Sequence, residues 1–137
     1  MNILGSWWFP FFLGIMVFIL GGCGKGKDPF IETYSVLTPD KAVPYYEEAL
    51  IVDVRTPEEF KESHLKNAIN IPVDEIEDRF AEEVTKDKEQ KVFVYCKSGV
   101  RAINAMEKLK TMGYFKIYSI GGIKDWENSK HSDYIER

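Results

Sequence analysis

Six residues in the second half of the chain have the types and spacing for covalent chemistry: Cys96, Lys97, Ser98, Gly99, Val100 and Arg101. They follow a β-rich apolar run at residues 91–95 (KVFVY) and precede a helical pattern. A strand, tight loop and helix in that order carry a side chain to the carboxyl edge of a parallel sheet, where such folds bind ligands. Backbone N–H groups at a helix N-terminus favour an anion, and the thiolate is the nucleophilic form of cysteine. Lys97 and Arg101 add positive charge, and Gly99 lets the loop curl without a Cβ clash. The hexapeptide therefore suits a cradle of amides around one sulfur. By itself it is equally compatible with an inert cysteine buried at a strand end.

The elements that would position this loop alternate short apolar runs with amphipathic stretches. Residues 49–54 (ALIVDV) read as a buried strand, residues 68–71 as a short strand ended by Pro72, and residues 116–120 as a last strand. Thr56-Pro57-Glu58-Glu59 reads as a helix start, with a Thr cap, Pro at the first position and acids against the dipole. Residues 74–84 predict a helix with Ile76, Phe80 and Val84 on one face. Residues 100–112 predict another, with Val100, Ile103, Met106 or Ala105, and Leu109 inward and Gly113 as its C-cap. Gly121-Gly122 then turns into a short helix around Trp126. Strands separated by helices imply an α/β fold with a mostly parallel sheet covered on both faces.

Taken together these segments resemble the rhodanese family. Asp53-Val54-Arg55-Thr56-Pro57-Glu58-Glu59-Phe60 is similar to its first signature, followed by Ser63-His64-Leu65 and residues 68–72 (AINIP). Residues 96–101 match its Cys-x-x-Gly-x-Arg loop, and Gly113-Tyr114 with residues 118–126 (YSIGGIKDW) is similar to its closing segment. The resemblance covers roughly residues 35–128. Ser63 and Asn67 stand where the family usually has Gly, both at positions expected in surface loops.

The resemblance implies a three-layer rhodanese-like fold and a sulfurtransferase. Cys96 would take a sulfane sulfur from a small anionic donor such as thiosulfate, then pass it to a thiol or to cyanide, without a cofactor. Arg101, with Lys97, would hold the donor's sulfonate. The amides of the loop from Lys97 through Ser98, Gly99 and Val100 to Arg101 would stabilise the terminal sulfur. Asp53 and Arg55 resemble a structural ion pair and helix anchor, with Glu58 or Glu59 as partner for Arg55. His64 reads as a structural histidine and Trp126 as core. His131 reads as solvated, and no His or Cys at ligand spacing supports a metal. Two rival readings stand beside this one: a non-catalytic module of the same fold for binding or carrying sulfur, and a cysteine-dependent phosphatase or arsenate reductase. The four residues between Cys96 and Arg101 favour sulfur over phosphate, since the related phosphatases have one more.

The composition is globular: of 137 residues, 45% are hydrophobic and 29% charged. The net charge of -4 argues against nucleic acid, whose phosphates need a basic surface. No Asp, Glu, Lys or Arg occurs in residues 1–22. Residues 11–20 have the length of a signal h-region. Leu20-Gly21-Gly22-Cys23 resembles a bacterial lipobox, in which Cys23 takes the lipid, and residues 24–28 (GKGKD) read as a tether. The rival is an uncleaved membrane helix, which Lys25 and Lys27 favour by placing charge after the apolar run. The contexts of Cys23 and Cys96 suit two separate roles better than a disulfide. The expected organisation is a signal peptide or anchor at 1–22, a lipidated cysteine and tether at 23–33, a rhodanese-like domain at 34–130 and a polar tail at 131–137. The expected location is the bacterial cell envelope, membrane-anchored on the extracytoplasmic or periplasmic side.

Overall fold

The apolar runs become the strands of one parallel sheet in the computed structural model, which describes residues 35–137. The leader, Cys23 and the tether lie outside the described residues. Strands β1 (Leu50–Asp53), β3 (Ala68–Asn70), β4 (Val92–Cys96) and β5 (Ile117–Gly122) pair in the order β3-β1-β4-β5, every pair parallel. All five residues of β4 are buried, which suits its central position. Val52 of β1 faces Val94 of β4 and Ile69 of β3 in register, so β-branched side chains line the middle of the sheet.

Alternation along β4 divides the core. Val92, Val94 and Cys96 point to one face, where Ile76 and Phe80 of α3 (Ile76–Glu83) and Ala102, Ala105, Met106 and Leu109 of α4 (Val100–Thr111) cover them. Phe93 and Tyr95 point to the other face. There they join Tyr46 of a 3₁₀ segment (Val43–Glu48) that follows α1 (Pro39–Ala42), and Ile123 and Trp126 of α5 (Ile123–Glu127). Helix α2 (Pro57–Glu62) starts as its sequence predicts, with Pro57 at its first position and a Thr56/Glu59 capping box. Asn67 takes the left-handed conformation at φ 60°, which asparagine tolerates better than most residues. Ser63 is extended at φ -167° and needs no glycine.

Three expectations are corrected. Val100 and Ile103 do not face inward: they are 73% and 39% exposed. The buried stripe of α4 is instead Ala102, Ala105, Met106 and Leu109, the i, i+3, i+4, i+7 set, and its two alanines bring the helix close to the sheet. The segment 131–137 is polar in composition but not a loose tail. It forms a 3₁₀ turn (Ser132–Tyr134) and strand β6 (Ile135–Glu136), which pairs antiparallel with β2 (His64–Leu65). Tyr134 packs edge-on against Tyr46 at 4.7 Å. His131 is not solvated either: its side chain is 17% exposed, and its Nε2 meets Asp40 Oδ1 at 2.8 Å.

Candidate active site

Cys96 ends β4 and is 1% exposed. The chain then bends through Lys97 and Ser98, both exposed, into α4. Gly99 makes the bend possible at φ 99°, a conformation that side chains with a Cβ adopt at a cost. The result turns the Gly99 N–H back to donate to Cys96 Sγ at 3.0 Å. The sulfur thus sits before the first turn of a twelve-residue helix, where the unpaired amides carry partial positive charge.

The platform beneath the loop is the β5–α5 corner. Gly122 lies under the loop with no room for a Cβ, which would overlap the Lys97 carbonyl and come within 2.7 Å of Ser98 Cα. Gly122 N–H donates to Asp125 Oδ2 at 2.9 Å, and Trp126 Nε1–H to the Ile120 carbonyl at 3.1 Å. Trp126 is fully buried, so the corner is built into the core as its sequence suggests.

Asp53 and Arg55 form a buried ion pair. Arg55 Nη2 meets Asp53 Oδ2 at 2.6 Å, Arg55 Nε lies 3.0 Å from both carboxylate oxygens, and the Arg55 backbone N–H donates to Oδ1 at 2.9 Å. Arg55 Nη2 also donates to the Ser63 carbonyl at 2.7 Å, tying the end of α2 to β1. Neither Glu58 nor Glu59 is the partner of Arg55, because Asp53 and the Ser63 carbonyl occupy its fork. Glu59 instead grips Arg101: Nη1 donates to Oε2 at 2.8 Å and Nη2 to Oε1 at 2.9 Å. Glu59 Oε2 also accepts the Thr56 N–H at 3.0 Å. The Arg101 guanidinium, helped by the Thr56 amide, holds the Glu59 carboxyl down at about 2. Glu59 in turn raises the Arg101 pKa.

The structure therefore brings Cys96, Lys97, Ser98, Gly99, Val100 and Arg101 into one loop, with Asp53 and Arg55 below as scaffold. His64 takes no part: Nδ1–H donates to the Phe60 carbonyl at 3.0 Å, and Nε2 lies 3.3 Å from Glu136. A shallow cleft of about 140 Å³ opens between α2 and α5, with Lys97 and Glu59 among its walls. Sequence reading noticed Glu59 as a helix-start acid and Gly122 as a turn residue. It missed that both reach the Cys96 loop, since each works through a partner distant in sequence.

The family model described as rhodanese-like domain matches residues 39–129. The thiosulfate sulfurtransferase PspE of Escherichia coli (strain K12) is 43% identical over 74 residues, which is 54% of this chain and 70% of that protein. A sulfurtransferase of Allochromatium vinosum is 36% identical over 81 residues, covering 58% and 73% of the two chains. Among solved structures, a rhodanese with anions from E. coli aligns with a TM-score of 0.52 at 43% identity, over 55% of this chain and 87% of that one. The human single-domain sulfurtransferase TSTD1 aligns with a TM-score of 0.62 over 69% and 97%; at 22% identity it speaks for the fold alone. With its parallel sheet, its Cys96 loop and a family match across most of the described residues, the chain belongs to the rhodanese-like domain family.

Proposed function

We propose that the protein is a sulfurtransferase that carries a sulfane sulfur on Cys96. The observation that carries this reading is the Gly99 N–H aimed at Cys96 Sγ from the mouth of α4, 3.0 Å away. In the first step the Cys96 thiolate attacks the outer sulfur of thiosulfate. A Cys96–S bond forms, the S–S bond of the donor breaks, and sulfite leaves with the bonding electron pair. The persulfide carries one negative charge on its terminal sulfur, which the loop amides stabilise. Lys97 and Arg101 bind the sulfonate oxygens of the donor. In the second step a thiolate or cyanide attacks the terminal sulfur, takes it away and restores the Cys96 thiolate. No cofactor enters either step.

The same loop disfavours phosphoryl chemistry. Only four residues separate Cys96 from Arg101, and the contact of Gly122 with Lys97 and Ser98 keeps the loop from sinking toward the sheet to make room for a tetrahedral anion. The experiment is to incubate the purified full-length protein with thiosulfate and weigh it intact. A gain of one sulfur atom, absent in Cys96→Ser, is the expected result. Efficient aryl-phosphate or arsenate turnover would assign the loop to a different chemistry. No mass gain with any sulfane donor would leave a binding module.

We also propose that Cys23 is lipidated and holds the domain on the extracytoplasmic or periplasmic side of a bacterial membrane. The support is the Leu20-Gly21-Gly22-Cys23 pattern at the end of an uncharged apolar run.

A further inference from the structure

The Cys96 loop contains an arginine whose charge is already answered from within the chain. Arg101 gives one hydrogen from each terminal nitrogen to the two oxygens of Glu59, at 2.8 and 2.9 Å. Of its five N–H groups, three remain for any ligand. Glu59 cannot simply swing aside. Its Oε2 also accepts the Thr56 N–H, and the Thr56 hydroxyl accepts the Glu59 N–H, so the capping box holds the carboxylate at the start of α2. The pair is about one-third exposed on the Arg101 side and 27% exposed on the Glu59 side, open to solvent beside the loop. Asp53 and Arg55 cancel each other below, and Lys97 stands exposed on the loop, without a partner ion among the described residues.

We propose that Glu59 is a specificity-determining positioning residue: by anchoring Arg101 on a fixed carboxylate it lowers the positive charge offered at the Cys96 loop and so restrains binding of doubly charged sulfur donors. This rests on the proposed sulfurtransferase reading for its biological meaning, but the charge effect itself is a property of anion binding. A dianion approaching Arg101 meets a neutral pair, while the persulfide, with one charge, relies mainly on the loop amides. The pairing thereby narrows the advantage that thiosulfate, as a dianion, draws from Arg101 over donors carrying one negative charge or none.

The test separates binding from chemistry. In the full-length Cys96→Ser protein, which cannot accept sulfur, the Kd values of thiosulfate and of methanethiosulfonate are measured by NMR titration. These two ligands share a sulfane sulfur on a sulfonyl-type group but differ by one charge. Adding Glu59→Gln, which keeps the shape and an oxygen for Thr56, should tighten thiosulfate roughly two- to fivefold. Methanethiosulfonate should gain about half as much on a logarithmic scale, because Coulomb energy is linear in charge. The difference should shrink toward 1 M salt, where the screening length is only about 3 Å. Thr56→Ala loosens the same helix start while keeping the Glu59 charge, and should leave the ratio of the two Kd values where it was. Equal changes for both ligands, weaker thiosulfate binding, no binding of either, or the same shift from Thr56→Ala would each overturn the proposal. Persulfide formation by the Cys96-containing protein independently tests the sulfurtransferase reading.

Discussion

Gly122 supports the Cys96 loop from below at a distance that leaves no room for even one methyl group, the Lys97 carbonyl occupying the place a Cβ would take. The contact joins the end of β5 to the turn after β4, and it sets how far the loop can sink toward the sheet. Asp125 completes the joint by accepting the Gly122 N–H at 2.9 Å. A glycine that the sequence suggests only as a turn residue is thus the floor of the candidate active site.

Gly122→Ala should push the loop outward and misplace the Gly99 N–H relative to Cys96. Overpacking of this kind costs about 1–3 kcal/mol. Sulfite release from thiosulfate should drop by at least about tenfold, the change expected from losing roughly 1.4 kcal/mol of transition-state stabilisation. Chemical denaturation and a sulfite assay on the same preparation check both parts. Wild-type rates in the variant would mean that the loop does not depend on this floor.

Arg55→Met should be a stability variant. It would leave Asp53 fully buried without its cation, and breaking a buried pair costs about 3–5 kcal/mol. That is a large part of the stability of a small domain. The fraction that stays folded should still form the Cys96 persulfide, since Arg55 is spent on Asp53 and the Ser63 carbonyl. Urea midpoints combined with intact mass decide between scaffold and catalyst. A stable variant with a silent Cys96 would place Arg55 in the chemistry.

Acid should loosen the joint between α2 and the loop. The Glu59 carboxyl is held at about 2 in the fold, by the Arg101 guanidinium first, against an ordinary value of 4.5. A depressed carboxylate contributes stability that is fully present above its unfolded value and lost as pH falls through its folded one. The window here is therefore from about 4.5 down to about 2. After discounting for solvent screening of a pair this exposed, the contribution is about 1 kcal/mol. Glu59→Gln should show a flatter dependence of unfolding free energy on pH across that window, with little difference in slope above it. Identical slopes in both proteins would count against the Arg101–Glu59 coupling in solution.

Cys23→Ala should prevent lipid attachment and shift the protein out of the tightly bound membrane fraction. Mass spectrometry of detergent-extracted wild-type protein should find an acylated Cys23 as the first residue. A chain that still begins at Met1 with an unmodified Cys23 would identify the leader as an uncleaved helix.

The Cys96 loop is legible in the sequence because its physics is local. The buried run of β4, the φ 99° needed at Gly99 and the helical period of α4 all lie within a few residues of Cys96. The Thr56 cap and Pro57 start of α2 are local in the same way. What each helix then faces is not local. Periodicity alone suggests Val100 and Ile103 as inward, yet the alanines at 102 and 105 pack closest and turn those two residues outward. The polar composition of residues 131–137 hides β6, whose pairing with β2 is made by backbone groups that carry no side-chain signature. Glu59 and Arg101 stand 42 residues apart and meet only once α2 and α4 dock on the same edge of the sheet. Short-range sterics and hydrogen bonding therefore make the four strands of the parallel sheet, helices α2 to α5 and the cysteine-bearing turn readable from the sequence. The tertiary structure alone decided the floor of that turn and the partner of its arginine. Such contacts are chosen by packing among elements far apart in the chain, where many pairings suit the local pattern and only the close-packed one fills the core.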